Sequence, residues 1–190
     1  MFNFFKTKII FFIIFFIIFS IILCYWKYSF KTDTNNLNPL QYENIIKEIN
    51  INKPTNLNKA ETFIIQNKNI YGTLTAMFLA KKYVLKNDFQ KAIIQLNNSL
   101  KYTKEENLRN ILKIRITKIT IQQKEYKKSI NILKTINDHN WSNIIENIKG
   151  DIFFKQNNKK AAIKAWEKSL FLESSNASKE IINMKLNELK

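Results

Sequence analysis

The chain of 190 residues is poor in the residues that most often announce chemistry: one cysteine, one histidine, two glycines, two prolines and two arginines. Cys24 stands alone, which rules out a disulfide scaffold and any multi-cysteine zinc site. His139, also alone, argues against a His-rich metal site and against a Ser/His triad. So few glycines argue against a phosphate-cradling loop, a dinucleotide-binding turn and an all-β sandwich, each of which needs glycine at set positions. Acid is scarce as well, with 15 Asp+Glu against 31 Lys+Arg, a formal charge of +16.

In their place the chain is rich in Ile (32), Lys (29) and Asn (26). These residues share A+T-rich codons, so the basic balance follows composition. Only Arg109 and Arg115 carry the bidentate guanidinium that nucleic-acid sites favour. The lysines are scattered among helical segments and form no single run. Both facts count against a nucleic-acid partner.

From Ile9 to Trp26 the sequence reads IIFFIIFFIIFSIILCYW, with Ser20 as its one clearly polar residue. Eighteen residues of helix rise about 27 Å, enough for a bilayer core. Tyr25, Trp26 and Tyr28 sit at aromatic-belt depth, and Lys6, Lys8, Lys27 and Lys31 flank the two ends. A cleaved signal peptide needs a shorter run and small residues at the cut. A lipoprotein signal needs a small residue before the cysteine, where this chain has Leu23. A buried core helix would be amphipathic, and this segment is not. The reading is an uncleaved membrane anchor. Its flanking charges are nearly balanced and lean weakly towards an N-terminus inside. Phe11, Phe12, Phe15, Phe16 and Phe19 share one face of it, although no small-xxx-small motif marks a helix pair.

About 160 residues remain beyond the anchor, enough for one domain with a real core. Thr32–Asn38 reads as a polar linker. Asn38-Pro39-Leu40-Gln41 reads as a helix start, with Asn as cap and Pro in the first turn. Pro54 interrupts, and a second helix is expected near Asn58–Gln66. From residue 70 the chain repeats. Ala80 and Tyr83 are followed by Phe89, Ala92, Leu96, Ser99 and Leu100. Tyr126, Ser129, Leu133 and Ile136 form the next unit. Gly150 and Phe153, then Ala162, Trp166, Ser169 and Leu170, form the third. Ala92, Ser129 and Ala162 are equivalent. The pattern resembles the tetratricopeptide repeat, a helix–turn–helix unit with a small residue where its helices cross and a large one beside it. Turns are expected at Asn87-Asp88, Gln122–Lys124 and Asn157-Asn158. Thr103-Lys104-Glu105-Glu106 reads as a capping box opening the second unit. Thr117 and Thr120 stand where small and aromatic residues are usual. Asn176–Leu189, with Ile181, Ile182, Leu186 and Leu189, is expected as a last helix that caps the open end of the stack.

No catalytic constellation is legible. His139 reads as a surface or capping residue, Glu105 and Glu106 as capping and first-turn charges, and Trp141 and Trp166 as core or hole-filling residues. Catalytic, cofactor-binding and metal residues are therefore none. In the repeat pattern the first helix of each pair lines the binding face. By register that face carries Met77 and Lys81, Ile114 and Lys118, then Asn147 and Asp151. Exposed apolar members would meet a partner, and the lysines would favour acidic segments.

Several stretches are more specific than generic repeats. They are QNKNIYGTL from Gln66 to Leu74, LAKKY from Leu79 to Tyr83, KEENLR from Lys104 to Arg109, WSNIIENIKGD from Trp141 to Asp151 and AAIKAWE from Ala161 to Glu167. With the anchor ahead of them they resemble the ancillary subunit family of the bacterial Sec translocon (YfgM-type). The resemblance covers roughly residues 60–190 plus the anchor. It implies a bacterial inner-membrane protein with a cytoplasmic N-terminus and a periplasmic repeat domain. Its implied partners are the SecYEG translocon and a membrane-anchored chaperone of the prolyl-isomerase class, and its implied role is to help pass emerging proteins to periplasmic chaperones. Only about eight residues precede the anchor, where family members can carry a longer acidic tail, so a signalling role is not carried over. An envelope scaffold related to the cell-division coordinator is the alternative. That relative usually arrives by a cleaved signal and has a coiled-coil segment, and neither is seen here. A membrane-anchored enzyme with an unrecognised carboxylate pair is a third reading.

The expected architecture is all-α, a single N-terminal transmembrane helix plus a tetratricopeptide-like α-solenoid. Residues 1–8 form the tail, 9–26 the anchor, 27–37 the linker and 38–190 the repeat domain. A fragment from about residue 36 to 190 should fold alone as a soluble helical unit. Circular dichroism of the purified fragment should show helical minima, and a β-dominated or coil-like spectrum would contradict the repeat assignment.

Overall fold

A computed structural model describes residues 17–22, 39–49 and 53–189. Residues 17–22 are helical (α1), and the rest of the 9–26 anchor lies outside the described residues, as do the 1–8 tail, the 27–37 linker and Asn38. Among the described residues no helix is long and apolar enough to cross a membrane. The chain divides between Leu40 and Gln41 into two units. Within the second unit the elements are α2 (Pro39–Glu48, which begins just before it), α3 (Pro54–Gln66), α4 (Ile70–Leu85), α5 (Phe89–Tyr102), α6 (Glu106–Gln122) and α7 (Tyr126–Leu133). A short 3₁₀ turn (His139–Trp141) leads to α8 (Ser142–Lys155), α9 (Lys159–Leu172) and α10 (Asn176–Asn187). Among the described residues there is no strand, despite the many isoleucines.

Helices α4/α5, α6/α7 and α8/α9 pack as antiparallel pairs. Each pair is joined by the same turn. Asn87, Lys124 and Asn157 all adopt the left-handed conformation, with φ near 60°. In each turn the following amide bonds back to the carbonyl five residues earlier: Asp88 N to Tyr83 O, Glu125 N to Thr120 O and Asn158 N to Phe153 O, all 2.9 Å. This is a Schellman-type closure, which satisfies carbonyls that the helix end leaves bare. The next residue then starts the second helix. Asp88 accepts from Lys91 N (3.2 Å) and Asn158 from Ala161 N (3.1 Å). The three expected turns are thus one structure repeated at the spacing of Ala92, Ser129 and Ala162.

Those three small residues are fully buried, and Leu96, Leu133 and Trp166, one turn on, are nearly so. The close approach is sharpest at Gly150. A Cβ built there would lie 2.2 Å from Trp166 Cδ1. Gly72 is equally constrained, since its Cβ would fall 1.8 Å from the Asn67 carbonyl oxygen. Both glycines of the chain serve close contacts, and neither has positive φ.

The middle unit solves its packing differently. Thr117 and Thr120 are fully buried. Thr117 Oγ1 donates to Lys113 O (2.8 Å), and Thr120 Oγ1 and Ser129 Oγ share a 2.7 Å bond across the helix pair. A buried hydroxyl pair stands where the other units use an aromatic, and it is satisfied, as burial demands. Three apolar clusters follow the chain. The first joins α2–α6 around Leu79, Leu96 and Leu112. The second joins α6–α8 around Leu133 and Ile152. The third seats Ile182 and Leu186 of α10 on Ala162 and Trp166.

Three local expectations change. Pro54 opens α3 in its first turn instead of preceding a helix that starts near Asn58. Its fixed φ suits that position, and the N–H it lacks would be unpaired there. The 103–106 capping box does not form. Thr103 ends α5, donating through Oγ1 to Ser99 O (2.7 Å), and Glu105 caps α6 by accepting from Asn107 N (2.9 Å) and Leu108 N (2.5 Å). Arg109 is spent on backbone, donating to Leu100 O (3.0 Å) and Thr103 O (2.9 Å) at the end of α5. Ile181 of the last helix faces outward and is half exposed.

Two substitutions test this scheme. Lys124→Asn should stabilise the protein by about 0.5–1 kcal/mol, because Asn tolerates the left-handed conformation better than Lys. Gly150→Ala should destabilise it by about 1–3 kcal/mol by forcing Trp166 from its seat. Urea unfolding of both variants measures the two signs.

Candidate functional site

The first helices α4, α6 and α8 carry the expected partner face at equivalent registers. Met77 and Ile114 are each 8 % exposed and lie in the first and second apolar clusters. They offer a partner little surface, because each turns towards the neighbouring helices. Lys81 and Lys118 are exposed. Asn147 and Asp151, on α8, are half-buried.

The geometry brings Lys118 and Asp151 into one recess of about 420 Å³ between α6, α8, α9 and α10. It does not bring Met77 or Lys81 there. Its wall is built on Trp166, whose indole Nε1 donates to Asn147 O (3.2 Å) and to Asp151 Oδ1 (3.1 Å). Phe154, 40 % exposed, stacks tilted on Trp166 at 5.8 Å. Lys185 of α10 closes the arrangement. Its Nζ donates to Asn147 Oδ1 and Asp151 Oδ1, both at 2.7 Å, and lies 5.7 Å from the Trp166 ring centroid. Two of the expected contact residues therefore hold the last helix. The cations facing the recess are Lys118, Lys155 and Lys185, against Asp151 and Glu188. With Asp151 paired to Lys185, Lys118 and Lys155 are left against Glu188, beside exposed aromatic surface.

Beside it, Glu146 accepts from Lys149 (2.8 Å) and Lys168 (3.1 Å). Burial pushes its carboxyl up, but the two lysine hydrogen bonds and charges outweigh this and hold it below the usual carboxylate range. Glu146 is thus a fixed anion tying α8 to α9. Further up the stack, burial first and then Glu61 push the Tyr83 phenol up to about 12. It stays protonated and donates to Glu61 Oε1 (3.1 Å). Among the described residues no three of His, Cys, Asp and Glu lie close enough to hold a metal ion. His139 is an exposed residue of the 3₁₀ turn, which Asp138 caps.

Sequence reasoning missed Lys185 and Phe154. Lys185 is one lysine among 29, and nothing in its local pattern tells that it faces Asp151 34 residues earlier. Phe154 follows a repeat-position aromatic, Phe153, and only the structure tells which of the two is turned outward.

Paired helices, one recurring turn, small residues at the crossings and a recess on the first-helix side define a tetratricopeptide-like binding scaffold. The chain matches the tetratricopeptide repeat-like domain family over residues 2–190. It is 64 % identical over 190 residues to the ancillary SecYEG translocon subunit of Buchnera aphidicola subsp. Acyrthosiphon pisum (strain APS), covering 100 % of this chain and 98 % of that protein. The protein of the same name from Escherichia coli (strain K12) is 31 % identical over 166 residues, 86 % of this chain and 81 % of its own length. No solved structure matches the chain. The chain belongs to the family of ancillary SecYEG translocon subunits, within the tetratricopeptide repeat-like class.

Lys185→Met should loosen α10 selectively. It keeps most of the apolar stem but removes two charged hydrogen bonds, a loss of about 1–2 kcal/mol after discounting for partial exposure. Amide exchange should quicken in α10 and the end of α9 while α4 and α5 are unchanged. Uniform quickening, or none, would show that the Asp151–Lys185 contact does not hold the end of the stack.

Proposed function

We propose that the protein is a membrane-anchored interaction module at the Sec translocon, whose repeat domain lies on the periplasmic side and helps pass translocated proteins to periplasmic chaperones. The observation that carries this reading is a helical-repeat domain with a recessed first-helix face, in a chain 64 % identical along its whole length to a protein named for SecYEG. The apolar run over 9–26 supports an anchor with the N-terminus in the cytoplasm, and a repeat domain over 38–190 follows it. The family resemblance supports a membrane-anchored prolyl-isomerase-like chaperone as second partner.

The mechanism is binding, with no covalent step. Lys81 and Lys118 repeat on successive first helices, and the recess beyond them adds Phe154 and Lys155. An extended acidic segment laid along these helices would meet one cation per unit, with aromatic surface at the end. Rim cations of this kind raise the association rate and select partners more than they add affinity. Asn147 and Asp151 set the recess by fixing α10, and Met77 and Ile114 support the face from beneath.

Detergent co-purification of a tagged full-length chain from bacterial membranes should bring down SecYEG. Lys81→Glu combined with Lys118→Glu should reduce that recovery severalfold with helical content unchanged. Recovery untouched by the double change, but lost when residues 9–26 are exchanged for another membrane span, would move the contact to the anchor. Protease added to spheroplasts should digest the repeat domain. Protection until the membrane is lysed would reverse the topology.

A further inference from the structure

A second groove, of about 630 Å³, runs between α3 and α5, the helices that precede and follow α4. Lys81 and Lys118 do not line it. Its apolar surface is Ile65, 69 % exposed, and Ile94, 51 % exposed, one from each wall. A single exposed isoleucine needs no explanation, but two lining one groove from opposite helices form a ready apolar seat. The lining residues fall at 61, 64, 65 and 68 on one wall and at 91, 94, 95, 98, 101 and 102 on the other. Within α3 and α5 that is the spacing of one helix face each, with Lys68 just past the end of α3, so two helix ridges flank a groove of the kind into which a third helix packs.

Charge selects the kind of helix. Lys68, Lys91 and Lys101 edge the groove, and Glu61 is its one acid. Glu61 is already engaged, since its Oε1 accepts from Tyr83 Oη (3.1 Å) and Gln95 Nε2 (3.0 Å). Lys68 makes no hydrogen bond or ion pair among the described residues. Lys91 holds an exposed pair with Asp88 at 3.5 Å and lies 5.6 Å from the Tyr83 ring centroid, and Lys101 makes a 3.4 Å bond to Asn98. Exposed pairs of this sort are exchanged at little cost.

We propose that the α3–α5 groove docks an amphipathic helix of a partner protein, its apolar stripe on Ile65 and Ile94 and its acidic flanks against Lys68, Lys91 and Lys101. This goes beyond the translocon reading, because it assigns a second partner surface on a different set of helices. The scaffold could then hold two proteins at once, one on each.

The test uses the full-length chain in detergent micelles and two fluorescent helical peptides. Both carry leucines at i, i+3, i+4 and i+7, one flanked by glutamates and the other by lysines. The glutamate peptide should bind by anisotropy and the lysine peptide should not. Ile94→Asp, and separately Lys68→Gln with Lys91→Gln and Lys101→Gln, should each weaken binding by about tenfold or more. Phe171→Asp, on α9 at an 88 % exposed position, should leave it unchanged. Equal binding of both peptides, or indifference to the groove changes, would overturn the proposal. So would sedimentation showing a dimer that Ile94→Asp dissolves, which would give the groove to a second copy. Binding of anionic vesicles lost with the same variants would give it to lipid. None of these results depends on whether Lys81 and Lys118 contact SecYEG.

Discussion

Two helices of a repeat can lie close only where neither backbone is shielded by a bulky side chain, and the turn between them must return the chain at the right angle. Small residues at 92, 129 and 162 meet the first condition, and a left-handed residue at 87, 124 and 157 meets the second. The two sets share one spacing, so turn and crossing keep the same register in each unit. Everything else is placed relative to them. Shift the turn by one residue and the buried stripe of the second helix rotates about 100° away from its partner. Asn fills the left-handed position twice, where its short polar side chain eases the strain, and Lys once.

At the end of the stack this geometry becomes a recess. Gly150 admits the Trp166 ring against α8, which puts the indole N–H on Asn147 and Asp151. Those two residues then take the Lys185 ammonium and with it α10. The last helix is thereby held by apolar contact on one side and by a half-exposed ion pair on the other. What remains open at the recess is Phe154, Lys118 and Lys155.

A chain this basic could have presented an undifferentiated cationic surface. Its few acids are instead largely consumed by the fold. Asp88, Glu105 and Asp138 cap helix starts, Glu61 and Glu146 sit in internal hydrogen-bond networks, and Asp151 holds Lys185. Glu173 lies below the usual carboxylate range, chiefly through the Ser175 amide that donates to it. The lysines at the two grooves are consequently less offset than the overall composition implies. Codon bias sets how many lysines there are, and the placement of the acids decides where their charge is left uncompensated.

Sequence periodicity alone determined that the chain is a helical repeat, where its turns fall and which small residues mark the crossings, because each of these is a local rule of spacing and conformational preference. It also set apart an apolar run at 9–26. It could not decide between Thr103 and Glu105 as the cap of α6, since both have side chains that can accept from a helix start and the choice rests on where α5 ends. Nor could it place Met77 and Ile114, because a first helix packs against its own partner and against neighbouring units. With apolar residues on more than one face, its pattern names no outward side. Lys185, Gly150 and Trp166 acquire their roles only from contacts across separate helices. Those contacts, and the two grooves beside them, exist only once the pairs are stacked, since their distances are fixed by packing and not by the order of residues along the chain.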